Sequence, residues 1–103
     1  METLMIGWTT LNTREEAITL SKALVRENFA VCSQIEGPIL SIYKWEENLA
    51  EEEEYRVIVK FLENKALPIK TWIESNHPYS TPQWIATRAA DVSKAYLRWA
   101  HNA

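Results

Sequence analysis

His77 and Tyr79 stand two residues apart in ESNHPYSTPQW, residues 74–84, between Pro78 and Pro82. Each proline fixes its own φ and holds the preceding residue near extended geometry, so this loop is rigid without any glycine. An imidazole on such a loop can ligate a metal, move a proton near neutral pH, or peg a turn by bonding to backbone. No Ser-His-Asp or Cys-His arrangement lies nearby, and nothing in the sequence places Cys32 beside His77. Peg, ligand and catalyst therefore stay open for His77, the peg being the commonest role of a lone histidine before proline. Tyr79 either offers its hydroxyl to a ligand or anchors the loop onto a sheet.

Glu46, Glu47 and residues 51–54 supply hard oxygen donors of the kind calcium and magnesium prefer. Their spacing is not that of an EF-hand and no glycine turns the chain, so the run reads as the solvated tip of a long hairpin whose charges discourage edge-to-edge pairing. Cys32, after Ala30 and Val31, has no basic neighbour and reads as a small buried hydrophobe. With Gly7 and Gly37 the only glycines, a glycine-rich phosphate loop is excluded, and CxxC and HExxH are absent. Tyr43, Lys44 and Trp45 could stack on bases. A net charge of -3 with scattered basic residues nevertheless argues against a nucleic-acid partner. Arg14 falls inside a predicted helix, which leaves no arginine-led phosphate cradle after the first strand.

The elements that must position these residues follow from periodicity. TLMIGWTT reads as a buried first strand. Ala17, Leu20 and Leu24 share one helical stripe and Ile18, Val25 and Phe29 an adjacent one, with Thr13 and Glu16 at capping-box spacing, which predicts a helix over about Thr13 to Asn28. AVCSQI and PILSIYKW form a second strand bent or bulged at Gly37-Pro38. EYRVIVKFL is a third, with Val57 and Val59 on one face and Ile58 opposite. NKALPIKTWIESN is helical, with Asn64 as N-cap and Pro68 in the first turn. QWIATRAA is a short fourth strand. The tail is a helix capped by Asp91 or Ser93 that presents Val92, Ala95, Tyr96 and Trp99 on one face, Trp99 in the core. This strand-helix-strand-strand-helix-strand order predicts an α+β, ferredoxin-like βαββαβ sandwich with an added C-terminal helix.

The 103 residues fit one domain, residues 1–103, with a modest core. Five tryptophans, at positions 8, 45, 72, 84 and 99, are hard to hide in so small a monomer, which predicts a subunit interface. No apolar stretch nears the ~20 residues needed to cross a bilayer. The N-terminal METLMIGW lacks the features of a secretion signal and Cys32 is a single cysteine, so a cytoplasmic setting without membrane contact is expected.

Thr9-Thr10, AVCSQI, SIYKWEENLAEEEEY, Lys60, HPYSTPQWIA and AYLRW, in this order and at these distances, resemble the CutA divalent-cation-tolerance family over nearly the whole chain. The resemblance implies a ferredoxin-like protomer in a tight homotrimer, akin in architecture to the PII signalling proteins, with long hairpins reaching onto neighbouring subunits. It implies a cytoplasmic protein linked to tolerance of copper and other divalent metals, a ligand cleft between subunits near the HPY loop, and no enzyme activity. By position, His77 is the implied metal ligand, with Cys32 as a further donor, and Tyr43, Trp45, Lys60 and Tyr79 are implied cleft residues. Some relatives carry a cysteine where this chain has Thr9 and a second histidine where it has Asn76. Glu47, Gln83 and Arg88 stand where relatives often have glycine, glutamate and proline.

Overall fold

The computed structural model describes residues 2–103. Strand β1 (Leu4–Leu11) leads into helix α1 (Arg14–Arg26), then β2 (Cys32–Trp45) and β3 (Asn48–Leu62). A 3-10 turn (Glu63–Lys65) opens helix α2 (Ala66–Asn76), followed by β4 (Ile85–Arg88) and helix α3 (Lys94–Asn102). The sheet runs β2-β3-β1-β4 with every neighbouring pair antiparallel, as the ferredoxin-like reading requires.

Period-two alternation gives the sheet two unlike faces. Leu11, Val57, Val59 and Phe61 are buried against Ala17, Leu20 and Leu24 of α1 and Ile69 and Ile73 of α2. Each large side chain so buried contributes about 1.5–3 kcal/mol. The α1 stripe is the predicted one. Thr13 caps it, its Oγ1 accepting the Glu16 N–H at 3.1 Å. Gly7 faces the same side, and Trp84 lies so close over it that a Cβ would collide with the indole.

The β2–β3 hairpin is longer than its charges foretell. The acidic run is no loop: Asn48 to Glu54 pair with Trp45 to Ile39, and the tip is only Glu46-Glu47, at φ 50° and 68°. Two successive left-handed residues form the primed turn whose twist matches a hairpin, here made without glycine or asparagine in either place. The expected irregularity occurs where the register shifts between Glu36 and Ile39, with Gly37 at φ 151°. Beyond it the hairpin projects, stretching the molecule to 45 × 25 × 22 Å.

Three local expectations need correction. Asn64 lies in the 3-10 turn and does not cap α2, whose N-cap position is Lys65, although Pro68 does fall in the first turn. The fourth strand is only four residues long. In α3, Ser93 is the cap, and the inward face carries Tyr96, Leu97 and Ala100, leaving Ala95 exposed and Trp99 49% exposed instead of in the core.

Candidate functional site

The loop after α2 is tied to β1 by His77, which is 8% exposed. Its Nε2 lies 3.0 Å from the Thr10 carbonyl and its Nδ1 accepts the Tyr79 N–H at 3.0 Å. A carbonyl can only accept, so the proton sits on Nε2 and both ring nitrogens are engaged. Burial holds the imidazole below its ordinary pKa, and the Thr10 bond and the charges of Glu16 and Glu54 only partly oppose this. The Tyr79 ring meets His77 edge-on at 4.7 Å.

Tyr79 reaches the other face of the sheet. Its hydroxyl lies 2.8 Å from Glu54 Oε2 and 2.8 Å from Asn12 Oδ1. The phenol has one proton, and the charged carboxylate is the stronger acceptor. Asn12 therefore meets the phenol oxygen best with its amide turned to donate. Burial, then the Glu54 hydrogen bond and charge, push the phenol far above its ordinary pKa, so it remains a donor.

Glu54 belongs to a face of β3 that also carries Glu52. Their partners across the ladder, Ile39 and Ser41, lead along the same face to Tyr43 and Trp45. These side chains and the Tyr79 loop border an open cavity of about 630 Å³, lined by Tyr43, Trp45, Glu52, Glu54, Tyr79 and Gln83 among others. The Tyr43 phenol is raised above its ordinary pKa by loss of solvent and by Glu52.

The structure thus brings together three of the expected cleft residues, Tyr43, Trp45 and Tyr79, and leaves His77 just behind the wall. Lys60 is elsewhere: its ammonium lies 5.6 Å from the Tyr96 ring centroid, bridging β3 to α3. Cys32, half-buried, pairs with Lys60, which pairs with Ile6. Ile6 is four residues along β1 from Thr10, about 13 Å, so His77 and Cys32 do not meet within one protomer. No group of three His, Cys, Asp or Glu side chains poised for a metal occurs among the described residues. Thr9 is fully buried on the helix face, its hydroxyl without a partner, and Asn76 is exposed.

Sequence reasoning missed Asn12, and it read Glu54 only as one of an acidic run at a solvated hairpin tip and not as the partner of Tyr79. The signal was present for Glu54: read at period two through Arg56 and Ile58, it falls on the face opposite Val57 and Val59.

A family model described as CutA1 divalent ion tolerance protein matches residues 5–103. The chain is 33% identical over 90 residues to a divalent-cation tolerance protein CutA of Thermus thermophilus, covering 87% of each. The fold matches CutA1 of Ehrlichia chaffeensis with a TM-score of 0.94 at 25% identity, over 99% of this chain and 95% of that one. CutA of Synechococcus elongatus, complexed with a Bis-Tris molecule, matches with a TM-score of 0.89 at 30% identity, over 99% and 94%. With a match spanning nearly every residue and a shared fold, this chain belongs to the CutA1 divalent ion tolerance protein family.

Proposed function

We propose that the protein works in divalent-metal tolerance or response as a cytoplasmic homotrimer, without enzyme activity, binding a metal such as copper or a small ligand in a cleft between subunits. The observation that carries this reading is the cavity between the projecting hairpin and the Tyr79 loop, with Glu52 and Glu54 on its wall and Tyr43 and Trp45 beside them. The exposed apolar residues on the other face of the hairpin, Leu40, Ile42 and Leu49, favour a neighbouring subunit packed against the hairpin. That a relative's structure is complexed with Bis-Tris supports a cleft able to take a small molecule.

As a metal ligand, His77 would have to release either the Tyr79 N–H or the Thr10 carbonyl, and Cys32 would have to come from another subunit. Those engaged nitrogens favour a second reading, a stable trimeric scaffold that signals to another protein and has no metal site of its own. Calorimetric titration of Cu(II) into the wild type, His77→Gln and a Glu52→Gln/Glu54→Gln variant separates the two. Metal binding weakened at least about tenfold by either change supports a metal at this cleft. No binding in any, or equal binding in all three, supports the scaffold.

A further inference from the structure

Glu54 is 6% exposed, yet among the described residues its side chain meets one donor, the Tyr79 hydroxyl, and no cation. The two ion pairs among those residues are Arg56 with Glu36 and Arg88 with Glu63, neither touching the cavity wall. A carboxylate removed from water without a counter-charge is costly, and a bound cation would recover much of that cost. Lys44 reaches the rim but pairs with Leu49, on the hairpin face turned away from Glu54, and joins no ion pair among the described residues.

The other walls say which kind of cation fits. Tyr43, Trp45 and Tyr79 present aromatic surface, which attracts a cation through the ring quadrupole and suits an alkylated ammonium better than a strongly hydrated metal ion. A divalent metal is held best by several charged or imidazole donors converging on one point, and no group of three His, Cys, Asp or Glu side chains does so among the described residues. A volume of about 630 Å³ is that of a small-molecule site. Asn12, Ser80, Thr81 and Gln83 add hydroxyl and amide groups at the edge, matched to a ligand that also carries a hydroxyl.

We infer that the cavity is a site for a small organic ammonium ion, its positive charge on Glu54 and its alkyl groups against Trp45 and Tyr43. This inference rests on the proposed cleft and names the class of ligand it takes. No bond is made or broken.

Choline chloride is the probe, titrated calorimetrically against a sodium chloride control at matched ionic strength, with tryptophan fluorescence as a second readout. The wild type should bind choline, and both Glu54→Gln and Trp45→Ala should weaken it at least about tenfold. Glu54→Gln preserves shape and an acceptor for Tyr79, and Trp45 is more than half exposed, so both variants should keep the wild-type circular dichroism. Choline binding unchanged by either substitution would overturn the assignment. Absence of choline binding would overturn it too, and the Cu(II) titration then tells the cases apart. Glu54-dependent metal binding leaves the cleft and removes the ammonium, whereas no binding of either probe removes both.

Discussion

His77 shows how a residue with catalytic credentials can be spent on architecture. Two hydrogen bonds hold it between β1 and the following loop, so His77→Ala should cost about 2–3 kcal/mol, read by urea denaturation at fixed protein concentration. Its pH dependence has a definite sign. The folded pKa lies below the ordinary 6.5, so the unfolded chain takes up the proton first as pH falls. The contribution is complete above about pH 6.5 and is lost as pH drops from there through the folded value. The Thr10 carbonyl and the charges of Glu16 and Glu54 limit the shift, while the Tyr79 N–H on Nδ1 favours the neutral ring. His77→Gln should flatten this limb of a stability-against-pH profile while leaving the alkaline side alone. Tyr79→Phe should cost about 1–3 kcal/mol by removing the donor on buried Glu54. The sequence made the loop's rigidity legible through Pro78 and Pro82, but not what His77 bonds to. Thr10 is 67 residues away, and only the folded sheet brings its carbonyl to the ring.

At the scale of elements, strong periodicity was readable and charge was misleading. Ala17, Leu20 and Leu24 announced α1 because their spacing has no other explanation. The run from residue 51 to 54 hid a strand, because a hairpin projecting past the core has no inner face to demand apolar alternation. Its turn carried no signal either, since Glu46 and Glu47 take left-handed conformations that favour glycine or asparagine. Glu47→Gly should therefore stabilise the hairpin by about 0.5–1 kcal/mol, the relief of an unfavourable φ being partly offset by a freer unfolded chain. A rise in melting temperature with unchanged oligomeric mass is the expected result. The face of α3 was misjudged for a related reason: Val92, Ala95, Tyr96 and Trp99 form an apolar stripe, yet the helix packs through Tyr96 and Ala100 and leaves half of Trp99 outside.

At the scale of the whole molecule, one protomer leaves too much apolar surface uncovered. Leu40, Ile42, Trp45, Leu49, Ile85 and Trp99 are each about half exposed or more. Residues of this kind scattered singly would need no explanation, but four lie on one projecting hairpin, which points to association. The fold itself was legible from the order of elements, and the sheet order agrees with it. For the proposed assembly the residues themselves offered only an excess of tryptophan, because a subunit contact leaves no periodicity in a single chain. Leu40→Asp with Leu49→Asp, placed on one exposed face of the hairpin, should weaken association without unfolding the protomer, since neither side chain touches the core. The cleft reading depends on that association. Light scattering on the wild type at micromolar concentration tests it most directly: the account predicts a mass three times the 12.0 kDa of the chain, and a stable monomer would contradict it.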